Sequence, residues 1–440
     1  MRLPRLKGAA IAAVVALSIN GCQGAGLHGS SFVPASFRQP LTSSVDVIYS
    51  FAGAPDGWGP EANPIVDASG ALYGTTSGGG TSSACGTKRA VNESGCGTIY
   101  KLKRLVGGRW KETLLWSFDL NHGAYPGYPL VAGASGSLYG TTQVGGNLGV
   151  AYGLFHGTHA RKFAVLHNFL GNRDGAQPRS ALVFDKSGNL YGTTVSGGSG
   201  GSGGGGTVYE LVPSGNKWTE KISYRFAPYG PSGANPQAPV VFGRSGSLYG
   251  TTSYGGNSAC PSGCGVVFSL SPAGKGAWKE SVLHSFSGGD GCTSVGGLVA
   301  DAAGNFYGST NLGGPSFPTC HGGCGTIFEL HGSHGHWSFA VIHDFTTNTG
   351  CGPSGNMALD AAGNLYGTTV IGGSGGGNGV VFRLARKPHG RWSYTVLHAF
   401  NNTPDGSEPT GLILAANGKL YGTTIGGGAL GVGSVFEATP

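Results

Sequence analysis

Charged residues are scarce in this chain, which has 27 Lys and Arg and 20 Asp and Glu among 440 residues. A typical globular protein has about 25% charged residues. The body of the chain contains no cluster of Lys or Arg, and three positive charges, Arg2, Arg5 and Lys7, belong to the first seven residues. Nucleic-acid-binding proteins need a basic patch or stripe, so the sequence excludes that class of function.

The amino terminus lacks a hydrophobic run long enough to stay in a bilayer. Its apolar run at residues 8–19 is shorter than the ~20 residues that a membrane helix needs. The run follows the basic stretch MRLPRLK, and this order is typical of a secretory signal peptide. Gly21-Cys22 comes next and resembles the lipobox of bacterial lipoproteins. The alternative is an ordinary cleaved signal with a coincidental cysteine.

We therefore expect a signal peptide at residues 1–21, lipidation of Cys22, and a flexible tether rich in Gly, Ser and Pro at residues 22–44. By the same resemblance, Gln23 in place of Asp indicates the outer membrane rather than retention at the inner membrane. The expected location is the bacterial cell envelope, as an outer-membrane lipoprotein or at the cell surface, with the lipid as the contact with the membrane.

Glycine, in contrast, is abundant, with 87 residues, and Trp, Tyr and Phe number 7, 17 and 20. So many aromatic residues argue against a disordered chain. The motif Gly-x-Leu-Tyr-Gly-Thr-Thr or a near copy recurs about every 58 residues, and GNFYGST at 304–310 departs most. Such a period indicates a repeat architecture. The tyrosines of the seven copies are Tyr73, Tyr139, Tyr191, Tyr249, Tyr307, Tyr366 and Tyr421.

Each repeat contains four strand-like segments. In the third repeat they are ALVFD (181–185), NLYGTT (189–194), GTVYEL (206–211) and WTEKISYRF (218–226). Four short antiparallel strands, repeated seven times, predict an all-β fold, a seven-bladed β-propeller. We expect the glycine of YGTT to admit a bulky ring, and its neighbouring Leu and Tyr to pack toward opposite blades.

The ends of the repeat region predict how the ring closes. DVIYSF (46–51) matches a fourth strand, and GSVFEA (433–438) matches a third. The amino-terminal strand should complete the last blade and hide two sheet edges. We expect one propeller domain at residues 45–440, and a monomer.

These repeats resemble the tandem GloVer repeat family of secreted bacterial proteins, called choice-of-anchor. The resemblance rests on the LYGTT–GG core and on the VFEL and VLHSF segments, and it covers residues 45–440. It implies an extracytoplasmic propeller and brings no established reaction.

The variable sequence falls in the loops between the second and third strands and between the fourth and first strands. These loops share one face, which we call the variable-loop face; the tight turns share the opposite, turn face. Eight cysteines lie in loops of the variable-loop face, and an oxidising compartment favours disulfides over a metal site such as Cys320-His321. The expected pairs are Cys85–Cys96, Cys260–Cys264, Cys320–Cys324 and Cys292–Cys351.

Two other sequence patterns are better explained by a structural role than by metal or phosphate binding. One repeated position holds a histidine in four repeats and Tyr49, Trp116 or Tyr224 in three others, so it requires a flat ring rather than a ligand. The glycine-rich SGGSGGSGGGGT lacks the Gly-Lys-Ser/Thr ending of a phosphate loop. We expect no metal and no cofactor. The four histidines are His167, His284, His343 and His398.

An Asp-Gly pair recurs near the start of the inner strand, at Asp56, Asp174, Asp290 and Asp405. The aspartates either form turns or ring the channel mouth to bind a cation or sugar hydroxyls. Trp58 and Tyr254 are exposed-loop aromatics that could stack on a sugar or peptide ring.

We expect a non-enzymatic surface protein that binds a glycan or a protein through the variable-loop face. The alternatives are a propeller lyase or hydrolase acting at the channel mouth, and a structural surface-assembly protein. Since no nucleophile–base pair can be identified from the sequence, the expectation leans away from an enzyme.

Overall fold

The structure, a computed structural model, describes residues 45–85, 94–157, 161–198, 203–215, 217–257, 260–315, 322–333, 336–374 and 376–440. It forms seven antiparallel sheets, the blades, arranged as a β-propeller. No helix in these ranges is both long and apolar enough to cross a membrane. The predicted signal peptide, Cys22 and the tether lie outside the described residues.

The strands follow the predicted order, from the inner to the outer edge of each blade. Blade 1 contains β2 (Ile65–Val66), β3 (Leu72–Thr76), β4 (Thr98–Arg104) and β5 (Trp110–Ser117). Blade 2 contains β6 (Val131–Ala132), β7 (Leu138–Thr142), β8 (Val150–Phe155) and β9 (Lys162–Asn168). Blade 3 contains β10 (Ala176–Pro178), β11 (Val183–Phe184), β12 (Leu190–Ser196), β13 (Thr207–Ser214) and β14 (Lys217–Arg225). Blade 4 contains β15 (Val241–Phe242), β16 (Leu248–Thr251), β17 (Val266–Pro272) and β18 (Trp278–Ser285).

The remaining three blades repeat the pattern. Blade 5 contains β19 (Val299–Ala300), β20 (Phe306–Thr310), β21 (Thr326–Ser333) and β22 (His336–Asp344). Blade 6 contains β23 (Cys351–Leu359), β24 (Leu365–Ile371), β25 (Val380–Arg386) and β26 (Trp392–Ala399). Blade 7 contains β27 (Ser407–Leu414), β28 (Leu420–Gly426) and β29 (Ser434–Ala438), and its outer strand is β1 (Val45–Ser50).

The amino-terminal strand closes the ring as predicted. It pairs antiparallel with the last strand of the chain, with Val45 opposite Ala438 and Ser50 opposite Ser434. The pairing gives each of these strands a hydrogen-bonded partner and removes two exposed sheet edges.

The glycine of YGTT admits an aromatic ring in every blade, which confirms the prediction. Gly74 pairs with Tyr100 across the sheet, and a Cβ at residue 74 would collide with that ring. Blades 2 and 3 carry Tyr152 and Tyr209 at the same place. Blades 4 to 7 carry Phe268, Phe328, Phe382 and Phe436 against the equivalent glycines.

The core lies in the seams, the interfaces between consecutive blades. Leu72 packs with Phe51 and Val435 of blade 7, whereas the adjacent Tyr73 packs with Leu138 and Tyr152 of blade 2. The two side chains therefore serve opposite seams, as predicted. Each blade also contributes a phenylalanine that is at most 1% exposed, and its burial stabilises the fold by roughly 2–3 kcal/mol. These residues are Phe51, Phe118, Phe169, Phe226, Phe286, Phe345 and Phe400.

Near the turn face, the YGTT tyrosine meets the tryptophan that begins the outer strand of the next blade. The ring centroids lie 5.5–6.2 Å apart at five seams. At the seam between blades 1 and 2, Arg161 lies over Tyr73 instead, 5.8 Å from its centroid. The repeated sequence thus builds a repeated contact between blades.

Candidate functional site

Disulfides fix several loops of the variable-loop face. Cys85 pairs with Cys96, and Cys260 pairs with Cys264, as predicted. The predicted pairs Cys292–Cys351 and Cys320–Cys324 are wrong, because Cys324 is bonded to Cys351. Cys292 is also disulfide-bonded. Its partner is none of the six cysteines in the three pairs Cys85–Cys96, Cys260–Cys264 and Cys324–Cys351. Cys320 and His321 lie outside the described residues.

The correction has a geometric cause. Cys292 and Cys351 occupy equivalent places in consecutive blades, and packed sheets lie about 10 Å apart, too far for a disulfide, whose Cα atoms are usually within ~6.8 Å. Cys324 instead precedes the third strand of blade 5, beside the start of blade 6, and its Cα lies 4.2 Å from that of Cys351. The adjacent Gly352 N–H donates to the Cys324 carbonyl at 2.9 Å.

The Asp-Gly aspartates build the loops that contain them. Asp56 accepts from the Ala52 N–H at 2.8 Å. Asp174, Asp290 and Asp405 contact the repeated histidines His167, His284 and His398 at 2.8–2.9 Å. Burial alone would raise the pKa of Asp290, but bonds from His284 and Ser287 hold that pKa below its usual value. These contacts are those of turn residues, and they tie the carboxylates to outer strands rather than to the channel.

The two predicted aromatics lie in blades 1 and 4 and do not meet. Trp58 is half-buried; its ring packs on Gly78, and its indole N–H donates to the Ser94 carbonyl at 3.3 Å. Tyr254 packs edge-on against Tyr229, at a centroid distance of 6.2 Å, and Tyr229 is 63% exposed.

Seven residues with a left-handed backbone conformation, one in each repeat, lie where the inner strands begin. Each donates its N–H to a carbonyl in the second-to-third loop of the preceding blade, at 2.7–3.0 Å. Five are not glycine, and this conformation costs such residues roughly 1–2 kcal/mol, so the inter-blade bond offsets the strain. The residues are Gly59, Tyr125, Gln177, Asn235, Thr293, Gly352 and Glu408.

Two residues further along, equivalent positions surround the mouth of the central channel. Only two of the seven side chains there carry a charge, Glu61 in blade 1 and Arg179 in blade 3. Side chains from blades 1 and 3 can influence each other only near the propeller axis. Arg179 indeed lowers the pKa of Glu61 against the larger effect of desolvation, which raises it. The ring positions are Glu61, Gly127, Arg179, Gln237, Val295, Ser354 and Thr410.

The Glu61 carboxyl group is exposed to solvent and is also closely surrounded by protein atoms. Its side chain is accessible to water, yet desolvation by the protein raises its pKa, while Ser77 and Arg179 lower that pKa by less. One carboxylate oxygen occupies the space that a side chain at Gly127 would fill. The missing side chain in blade 2 thus makes room for the Glu61 carboxylate.

The Arg179 side chain is held by a hydrogen bond to Gln143 of blade 2. In the amide orientation that pairs donors with acceptors, the Gln143 carbonyl accepts from Arg179 Nε at 3.2 Å. Tyr128, between the charged blades, has its pKa raised by burial, with smaller effects of Arg179 and Glu61. No ion pair within 4.0 Å joins Glu61 to Arg179 among the described residues. We call Glu61, Ser77, Tyr128, Gln143 and Arg179 the channel-mouth cluster.

Sequence reasoning missed this cluster. The signal available was a repeated proline, present in six of the seven repeats directly before the ring position: Pro60, Pro126, Pro178, Pro236, Pro353 and Pro409. Aligning the repeats on that proline would have isolated Glu61 and Arg179 as the charged exceptions.

Comparisons with known proteins agree with the fold. The sequence model of the Gloeobacter/Verrucomicrobia repeat matches residues 82–317 and 318–440. No curated protein matches the chain. A Bacteroides uniformis structure, proposed to be a 6-phosphogluconolactonase, is 16% identical, covers 79% of this chain and 86% of its own, and has a TM-score of 0.50. PorZ, a surface component of the type-IX secretion system of Porphyromonas gingivalis, is 14% identical over 88% of this chain and 47% of its own, with a TM-score of 0.49. At 16% identity, the likeness to the Bacteroides uniformis structure extends to the fold alone.

Proposed function

We propose that this chain, which belongs to the Gloeobacter/Verrucomicrobia repeat family, is a non-enzymatic binding module that takes an extracellular glycan at the mouth of its central channel. The observation that carries the proposal is the separated pair Glu61 and Arg179. A carboxylate and a guanidinium that lie near each other without forming an ion pair can accept from and donate to the hydroxyls of a bound sugar.

The neighbouring residues suit the same ligand. Gln143 and Gln237 add amide groups, which both donate and accept. Tyr125 and Trp58, half-buried aromatic residues, precede Gly127 and Glu61 in the loops of blades 2 and 1. Few polar groups of fixed direction beside aromatic surface are typical of small-ligand sites.

The experiment is a thermal-shift screen of the full chain against neutral glycans, acidic glycans and cell-wall fragments. A ligand at 100 times its dissociation constant stabilises a protein by ~2.7 kcal/mol. We expect Glu61→Gln and Arg179→Gln to abolish the shift. Arg109→Gln, an exposed turn-face residue, and Glu437→Gln, which contacts Lys419 on the turn face at 3.5 Å, are charge-matched controls that should preserve it. Equal shifts in all four variants would refute the site.

One observation favours the enzyme alternative. Burial raises the pKa of Glu61, and a raised pKa is the direction that a carboxyl group needs to act as a general acid. Turnover of a lactone or glycan that Glu61→Gln abolishes while binding persists would assign a lyase or hydrolase. Binding to a protein but to no glycan would move the function to a protein partner or to surface assembly.

The proposed location is the cell envelope, with a lipid on Cys22 as the membrane contact, and the proposed state is a monomer. Metabolic labelling with a fatty acid tests the anchor, because Cys22→Ser should lose the label and leave the membrane fraction.

A further inference from the structure

The outer strands meet at each seam through one repeated pair of positions. The first blade contributes the residue two positions before its buried phenylalanine, which we call the flat-ring position. The next blade contributes the residue that lies four positions before its own flat-ring position. At three seams two rings stack: Trp116 on Phe163, His284 on Phe339 and His343 on Tyr394, with centroids 3.6–4.4 Å apart. The position is therefore structural where both residues are rings, and the four histidines lie in four different seams.

The seam between blades 2 and 3 is different. There His167 of β9 meets Glu220 of β14, and Asp174 reaches in from the loop between them. His167 Nε2 lies 2.9 Å from Asp174 Oδ1 and 3.9 Å from Glu220 Oε1. Their ligand atoms all lie within 4.8 Å of one another. Glu220 Oε1 is buried and has no hydrogen-bond partner in the described part of the chain.

This donor set fits a divalent transition metal. Imidazole nitrogen and carboxylate oxygens are ordinary zinc ligands, and ligands at 2.0–2.1 Å in a tetrahedron stand about 3.3 Å from one another. The two measured separations, 2.9 and 3.9 Å, lie on either side of that value. The third separation, between Asp174 and Glu220, is at most 4.8 Å, so side-chain rotations that change the separations by roughly 0.5–1.5 Å would bring the three atoms to one ion.

The other seams supply the controls. At the seam between blades 4 and 5, His284 and Asp290 form the same contact, but Phe339 replaces the glutamate. At the seam between blades 3 and 4, Glu280 is present, but Tyr224 and Ser232 replace the other two residues. Among the described residues, His, Asp and Glu coincide only at the seam between blades 2 and 3.

We propose that His167, Asp174 and Glu220 bind one divalent transition-metal ion, of the Zn²⁺ class, that joins blade 2 to blade 3. The site lies on the outer strands and is independent of the channel-mouth cluster. Bound metal would act as a staple, since its ligands come from two blades and from the loop that connects them.

The test is calorimetric titration of the purified full chain with Zn²⁺, and with Co²⁺, whose visible absorption reports tetrahedral coordination. Wild type should bind one ion per chain with a nitrogen–oxygen cobalt spectrum. Glu220→Gln should weaken binding at least tenfold, the usual scale for losing a ligand or its support. Glu280→Gln and His284→Gln should bind as wild type does.

Two results would overturn the proposal: no binding by wild type, or equal affinity in Glu220→Gln and Glu280→Gln. Loss of binding through misfolding is separated from loss of a ligand by the circular dichroism of each metal-free variant. His167→Gln provides a second removal from a different strand, and it must weaken binding as Glu220→Gln does.

Discussion

Changing Tyr100, Tyr152 or Tyr209 to phenylalanine is expected to stabilise the propeller. The three rings are fully buried against the YGTT glycines of blades 1, 2 and 3. Their hydroxyl groups have no hydrogen-bond partner among the described residues. Burying a polar group without a partner costs about 1–3 kcal/mol. The equivalent residue in blades 4 to 7 is phenylalanine, so the fold already accepts the substituted side chain.

The expected gain is about 1 kcal/mol for each change, the low end of that cost. The three sites are in different blades, so their effects should add to about 3 kcal/mol in the triple variant. For a domain of about 400 residues the unfolding entropy is roughly 0.8 kcal/mol/K, so the triple variant should melt about 4 °C higher.

Urea unfolding of the purified chain at constant pH, with intact disulfides, measures the free energy directly. The reverse change Phe268→Tyr is the matched control and should destabilise by about 1–3 kcal/mol. If all three Tyr→Phe variants lose stability, the hydroxyl groups have partners, and the argument from an unsatisfied buried group is refuted.

Two further predictions concern the loops and the pH response. Replacing Cys324 and Cys351 by alanine removes a link across 27 residues and should lower the free energy of unfolding by about 3–4 kcal/mol. Replacing Cys260 and Cys264, four residues apart, should lower it by about 2 kcal/mol. Urea unfolding measures both, and equal losses of stability would contradict the loop-entropy account. Burial, and then Asp56, raise the pKa of Glu112 to about 7. The folded state therefore binds this proton more tightly than the unfolded state, and stability should fall as pH rises from about 4.5 to 7. Glu112→Gln should lack this fall, while parallel pH–stability curves would show that Glu112 is not its source.

The fold was predictable because its information is local and repeated. The spacing of YGTT gave the number of blades, and the phase of DVIYSF against GSVFEA gave the closure. The disulfide between Cys324 and Cys351 was missed because cysteines at equivalent positions of consecutive repeats were assumed to be close in space. In a ring, equivalent residues stand a blade apart, and the residues that touch are those at the end of one loop and the start of the next.

The candidate site was predictable only in part. The variable-loop face followed from strand alternation, and the Asp-Gly residues have the contacts of turn residues. The partners of three of them, the histidines of outer strands, could not be read from the turn motif. Glu61 and Arg179 belong to different repeats, and only the curvature of the ring, which no single repeat encodes, brings their side chains to one axis.

The closing strand also gives the molecule a direction. Val45 stands opposite Ala438, at the end of the blade where the tight turns lie, and Ser50 is at the end that carries the long loops. The chain therefore enters the ring through the turn face. Val45 is therefore on the face opposite the one that carries the variable loops and the channel-mouth cluster.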